Sequence, residues 1–309
     1  MTATALATHG LARAFGTVRA VDGLDLEVRQ GEVYGLLGPN GAGKTTTIRM
    51  LAGLLRPTAG RIEVLGQPLS PDRPQARRLV GLCPQENVLY PDLTARENLA
   101  YVAGLYGVRG PDRRRRADAL LERLGLAEKA DARASALSGG MKRRLTVATA
   151  LVHDPPVVVL DEPEAGLDPQ TRLLVRAFLA ELKSEKTVVL TSHNMDEVER
   201  VADRVAIVDH GRLLALGTPR ELTQRLGERL EVQLSRGDPG TVAADLRAAG
   251  FEARAASRGV EVRGVGLAPR VAAALAVAAK SGAEVEDLCL RGGTLEDAFI
   301  ELTGRGLRE

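Results

Sequence analysis

Gly38-Pro39-Asn40-Gly41-Ala42-Gly43-Lys44-Thr45 is the stretch that decides the fold class of this chain. It satisfies the pattern G-x-x-x-x-G-K-[ST] at every constrained position. The glycines let the backbone wrap closely around an anion, so that successive N–H groups point inward as a nest. Thr46-Thr47-Ile48-Arg49-Met50-Leu51 follows with helical spacing. That spacing predicts a helix whose N-terminus and dipole face bound phosphates. Upstream, Glu32-Val33-Tyr34-Gly35-Leu36-Leu37 reads as a short buried strand running into the loop. Strand, loop and helix in this order set Lys44 against β- and γ-phosphates and the Thr45 hydroxyl against Mg²⁺. A Gly-rich turn with an incidental lysine needs no such order. The stretch predicts an α/β fold that binds nucleotide phosphate.

Working outward, Val157-Val158-Val159-Leu160-Asp161-Glu162 is an apolar, β-branched run ending in two carboxylates. It predicts a central parallel strand, buried on both faces. Carboxylates at the C-terminal end of such a strand lie where open α/β sheets bind ligands. With a phosphate loop upstream, Asp161 is expected to hold Mg²⁺ through its water shell and Glu162 to polarise the attacking water. A second apolar strand over residues 187–191 ends at Ser192-His193, which sets His193 within reach of a γ-phosphate. Two features stay open. Phe15 is either an aromatic for stacking on an adenine ring or plain core packing. Leu137-Ser138-Gly139-Gly140-Met141 opens a helical segment at 142–152, as either a second anion nest or an ordinary N-cap.

The remaining pattern is coarse. Residues 11–15, 20–28, 61–65 and 79–83 read as strands, and 94–126 as helical. Thr94-Ala95-Arg96-Glu97 is a capping box, and 117–124 is amphipathic. Arg113 to Arg116 read as a solvated helix start, since no aromatic residue is interleaved. Residues 170–184 read as helix, and 205–208 with 212–216 as a hairpin. Beyond Gly227 the pattern restarts as β-α-β-β-α-β-α. This predicts a small ferredoxin-like domain with no catalytic constellation, and a division into 1–227 and 228–309.

The chain of 309 residues suffices for two cores. Its 42 basic and 40 acidic residues leave a net charge of +2, so no global field calls for an anionic partner. Aromatics at 3 % and the absence of Trp argue against a base-stacking platform for single-stranded nucleic acid. Cys83 and Cys289 lack metal-ligand spacing, which suits a reducing, cytosolic setting. Residues 1–10 do not read as a signal peptide, and no apolar run approaches the ~20 residues of a membrane span. A membrane role is therefore expected to come through a partner.

Taken in order, these motifs resemble those of the nucleotide-binding subunits of ATP-binding cassette (ABC) transporters, over about residues 5–220. The resemblance implies a P-loop NTPase of the ABC ATPase type, with a helical subdomain at about 86–152 and the small α+β ferredoxin-like domain behind it. It implies ATP and Mg²⁺ as cofactors. In that reading Gly38, Pro39, Asn40, Gly41, Ala42, Gly43, Lys44, Thr45 and Thr46 hold the nucleotide, and Phe15 falls where the family stacks adenine. Gln85 falls on the Q-loop, as a metal contact beside Thr45 and Asp161. Ser138, Gly139 and Gly140 fall on the family signature, Asp168 on the D-loop, Glu162 on the catalytic glutamate and His193 on the switch histidine.

The resemblance further implies a homodimer in which each phosphate loop faces the other copy's signature. It also implies a separate polytopic membrane permease, a place at the cytoplasmic face of the cell membrane, and no nucleic acid. Residues 86–99 are expected to dock the permease, with Arg96 and Glu97 as coupling charges. Met141 replaces the usual glutamine of the signature, as in many exporter-type relatives. Glu164 stands where Ser, Thr or Phe is commoner; a like-charge cluster beside Glu162 would raise a neighbouring carboxylate pKa and slow hydrolysis. The tail, Thr294 to Arg305, is similar to those of multidrug and daunorubicin-resistance exporter ATPases. A soluble ABC ATPase acting on nucleic acid or ribosomes is the rival reading; the single cassette and the absence of basic excess weigh against it.

Overall fold

Leu24-Asp25-Leu26-Glu27-Val28 alternates buried and exposed side chains, the period of a strand with one wet face. In the computed structural model, which describes residues 3–183, 185–192 and 194–304, it closes the second of two long strands. β1 (Thr4–Phe15) and β2 (Val18–Arg29) pair antiparallel. β3 (Val33–Leu37), buried at every position, leads into α1 (Lys44–Leu51). β4 (Ala59–Val64) and β5 (Gln67–Pro68) return to β1 and complete a sheet of order β2-β1-β4-β5. α2 (Pro74–Arg77) leads to β6 (Val80–Cys83). Three helices follow: α3 (Ala95–Leu105), α4 (Asp112–Arg123) and α5 (Gly139–Leu151). Next come β7 (Val157–Asp161), α6 (Pro169–Lys183) and β8 (Thr187–Thr191). α7 (Met195–Val201), β9 (Arg204–Asp209) and β10 (Arg212–Gly217) finish the run.

The second sheet has the order β10-β9-β3-β8-β7-β6 and is parallel except for its edge strand β10. β7 and β8 are buried at every residue, as strands covered on both faces must be. Ile48, Met50 and Leu51 of α1 join Leu36, Val157, Val159 and Val189 in one core with Leu6, Leu24 and Val28 of the antiparallel sheet. Because β3, β7 and β8 run the same way, their C-terminal ends share one rim of the sheet. That rim carries Gly38, Glu162 and Ser192.

The helical stretch expected over 94–126 is two helices. Gly107 and Gly110 hold φ of 87° and 57°, and Pro111 follows, so the chain turns between α3 and α4. Thr94 and Glu97 cap α3 reciprocally, as the capping box predicts.

The described chain divides into two compact units, residues 3–218 and 219–304. The second holds α8 (Pro219–Thr223), β11 (Glu228–Arg236), α9 (Pro239–Ala248), β12 (Glu252–Ala256) and β13 (Gly259–Gly264). It ends with α10 (Val271–Lys280), β14 (Glu284–Gly292) and α11 (Leu295–Thr303). Its sheet, β12-β13-β11-β14, is antiparallel throughout, the strand order of a ferredoxin-like fold. Leu230, Val232, Val260 and Val262 pack under Val242, Leu246 and Ala274.

Candidate active site

The loop after β3 is shaped by its glycines. Gly41 and Gly43 hold φ of 80° and 95°, in the left-handed region. Gly43 is constrained twice, because a Cβ there would stand 2.1 Å from the Ala20 carbonyl oxygen. Gly38 is pressed against the Val208 carbonyl, which a Cβ would meet at 2.4 Å. Ala42 is buried and its carbonyl accepts from Gly211 N at 3.0 Å, so the loop is rooted in the core. Lys44 opens α1, two residues ahead of the expected helix start. Its Nζ donates to the carbonyls of Gly38 at 2.6 Å and Pro39 at 3.0 Å. Burial lowers the Lys44 pKa, against the opposing pull of Glu162 and Asp161.

Across the rim, Asp161 is buried, and its Oδ1 accepts from the Thr191 hydroxyl at 2.6 Å. The same hydroxyl accepts from Glu162 N at 3.1 Å. Glu162 has a φ of 50°, a left-handed conformation that costs a non-glycine residue about 1–3 kcal/mol. Its Oε2 accepts from Gln85 Nε2 at 3.3 Å, bringing together two residues 77 positions apart. Phe15, Asn40, Gly41, Lys44, Thr45, Gln85 and Glu162 line one cleft of about 330 Å³. Phe15 is 49 % exposed there, with the Arg13 guanidinium 4.6 Å from its ring centroid, so it is no core residue.

Ser138, Gly139, Gly140 and Asp168 do not line this cleft. Ser138 caps α5, its side chain accepting from Met141 N, so α5 begins earlier than the pattern suggests. Asp168 accepts from the Thr171 amide at 2.9 Å and hydroxyl at 2.6 Å, and these bonds lower its pKa. A Cβ on Gly140 would lie 3.7 Å from Asp168 Oδ2, so these residues form a second cluster. His193 lies outside the described residues, as does Ser184 at the end of the expected helix. Glu164 stands two residues from Glu162, its Oε2 buried and without a hydrogen-bond partner among the described residues.

Arg96 and Glu97, expected as coupling charges, both make local bonds in the structure. Arg96 pairs with Asp118 at 2.7 Å and with Asp131, while Glu97 accepts from Thr94 N in the α3 cap. Beside the exposed Glu86, Asp92 and Glu97, the region and the helix that follows it also expose large apolar side chains: Val88, Tyr90, Tyr101 and Leu105.

Two contributors escaped the sequence pattern. Thr191 ties both carboxylate positions together from a strand read only as core. Arg143 is buried among the carbonyls of the loops that carry Gln85 and Glu162. The available signal was its register, a charge in line with the apolar positions Val147 and Leu151 on the buried side of α5.

The family described as ABC transporter matches residues 21–165. Nod factor export ATP-binding protein I of Ralstonia nicotianae is 41 % identical, over 98 % of this chain and 95 % of its own. Linearmycin resistance ATP-binding protein LnrL of Bacillus subtilis is 37 % identical, over 98 % of this chain and all of its own. The chain belongs to the ABC transporter family. The solved structure of an ATP-binding subunit of an ABC transporter superposes on this ABC ATPase with a TM-score of 0.66 and 30 % identity, covering 72 % of this chain and 92 % of that one. A dimeric post-hydrolysis cassette bound to ADP and Pi superposes with a TM-score of 0.64 and 26 % identity, over 69 % and 98 %. The ABC ATPase described here is thus an ATP-binding, ATP-hydrolysing cassette.

Proposed function

We propose that this ABC ATPase is the energy-supplying subunit of a membrane exporter, working as a homodimer on a separately encoded permease at the cytoplasmic face of the membrane. The observation that carries the reading is similarity over nearly the whole chain to ATP-binding proteins named for Nod factor export and linearmycin resistance. Among the described residues, no helix is long and apolar enough to cross a membrane, so transport is assigned to the partner.

In this reading adenine stacks on the Phe15 face opposite Arg13, and the phosphates fill the nest at 38–46. Lys44 exchanges the carbonyls of Gly38 and Pro39 for phosphate oxygens, a charge-assisted gain. Thr45, Gln85 and Asp161 offer a hydroxyl, an amide and a carboxylate, hard oxygen donors that suit Mg²⁺. The ion would neutralise charge on the β- and γ-phosphates. Glu162 orients the attacking water, with Gln85 beside it and His193 sensing the γ-phosphate. Ser138, Gly139, Gly140 and Asp168 reach the nucleotide of the second copy.

The permease is assigned to the apolar patch of Val88, Tyr90, Tyr101 and Leu105. Val88 and Leu105 are 65 % and 62 % exposed, and the two tyrosines stack edge to face at 4.8 Å. Val88→Asp with Leu105→Asp should release the subunit from membranes and stop transport, with the isolated subunit's ATPase rate within about twofold of wild type. Loss of that soluble activity would assign the patch to folding instead.

A further inference from the structure

Arg143 sits on the second turn of α5 and is 2 % exposed. Its five N–H groups meet five backbone carbonyls. Nη1 donates to Pro84 at 2.6 Å and Gln85 at 2.9 Å. Nη2 donates to Asp161 at 2.6 Å and Glu162 at 2.7 Å, and Nε donates to Pro163 at 3.1 Å. One planar, rigid group therefore spans the exits of β6 and β7. A second tie lies one turn along, where the Thr146 hydroxyl donates to Asn87 Oδ1 at 3.2 Å.

Burying a guanidinium is costly unless every donor is used. Here all five are, and all are spent on the two segments whose side chains, Gln85 and Glu162, meet in the cleft. Arg143 does not line that cleft, so it acts through them. Glu162 is also the residue whose left-handed backbone needs holding, and Arg143 grips the carbonyl on either side of that φ.

We propose that Arg143 is the positioning residue that fixes Glu162 relative to the Gln85 segment, and through it couples movement after Gln85 to ATP hydrolysis. The proposal rests on the assignment of Gln85 and Glu162 as reacting-site residues. A guanidinium cannot stretch: if the segment after Gln85 shifts, the glutamate turn either moves with it or loses bonds. Lysine keeps the charge and stem but has three donors in no fixed plane, so it cannot span both exits.

The experiment uses the full chain and four variants: Arg143→Lys, Arg143→Met, Gln85→Ala and the Arg143→Lys, Gln85→Ala double. Arg143→Lys should keep its affinity for a fluorescent ATP analogue within about twofold while kcat falls ~10- to 100-fold, the cost of a misplaced reacting group. Arg143→Met should lose more. In the Gln85→Ala background, Arg143→Lys should cost a clearly smaller factor, because both changes cut one tether. The coupling role is overturned if Arg143→Lys keeps its kcat, if affinity and kcat fall by the same factor, or if the losses simply multiply. It is equally overturned if the lysine variant does not fold, since the residue is then structural; failure of the methionine variant alone leaves the lysine result to decide. Glu162→Gln tests the underlying site separately: an active Glu162→Gln enzyme would sink the site assignment whatever Arg143 does.

Discussion

Glu162 combines a strained backbone with a side chain aimed at Gln85, and that combination suits a group that must be placed rather than merely present. Replacing it by Gln keeps the shape and an acceptor oxygen but removes the carboxylate charge that, in the proposed role, polarises the attacking water. Glu162→Gln should lower hydrolysis about 10²- to 10⁴-fold with ATP affinity retained. ATP should then hold the variant as a dimer, and a monomer by light scattering at saturating ATP would count against a nucleotide sandwich. The loop glycines allow a finer comparison. Gly41 and Gly43 carry similar φ, so Ala imposes a similar backbone strain of about 1–2 kcal/mol at each. Only at Gly43 would the new Cβ also strike a backbone carbonyl, that of Ala20, whereas at Gly41 nothing lies within 4 Å. Gly43→Ala should therefore lose nucleotide binding outright, and Gly41→Ala should bind ATP more weakly but measurably. Equal affinities by calorimetry would show that the close approach to β2 does not shape the loop.

At the scale of elements, one ring pair joins the ends of α3 and α5, which also pack against each other. Tyr106, the C-cap of α3, stacks on His153 just past α5, with centroids 3.7 Å apart. Burial pulls the His153 pKa from 6.5 down to about 4, with Lys186, Asp154 and Arg116 as the nearby charges. Below pH 6.5 the unfolded chain takes up this proton and the folded one does not, so stability falls as pH drops towards 4. A displacement of that size is worth about 3 kcal/mol across the window. His153→Phe keeps the stack and should flatten the acid limb of stability, as read by urea unfolding at pH 7 and pH 5. An unchanged limb would place the titration elsewhere. The elements themselves were legible where the constraint was local. The phosphate loop declared itself through residue types that its backbone alone requires, and β7 and β8 through apolar runs that only central strands tolerate. β1 was read seven residues short, because Gly10 precedes the run at 11–15 and glycine disfavours a strand interior. The strand runs through it: Thr8, just before, is buried, its hydroxyl donating to Leu24 O and accepting from Leu26 N across a register shift. Arg143 was passed over for a related reason: its partners are carbonyls, which every residue carries and no sequence pattern marks. The ion pairs of Arg96 were equally unmarked, since its carboxylate partners lie 22 and 35 residues away.

For the whole molecule, the cluster of Ser138, Gly140 and Asp168 lies outside the cleft around Lys44, and the proposed head-to-tail dimer would set the cluster of one copy against the cleft of the other. A composite site of this kind makes a prediction that no single-chain site shares. Ser138→Arg puts bulk and charge into the closing surface, and Lys44→Ala removes a main phosphate contact. Each variant should be nearly inactive as a homodimer, since both of its sites are spoiled. In a mixed dimer one site pairs the intact loop of one copy with the intact cluster of the other, while the remaining site carries both defects. Random exchange of equal amounts makes about half the dimers mixed, so the mixture should recover about a quarter of the wild-type ATPase rate if the sites act independently. A mixture as inactive as its components would point to a site completed within one chain or to strict coupling of the two sites. A crosslinked dimer of one wild-type and one Lys44→Ala subunit separates these. About half the wild-type rate there indicates independent sites, and with an inactive mixture would mean a one-chain site; no activity there would mean that both sites must be competent for either to turn over.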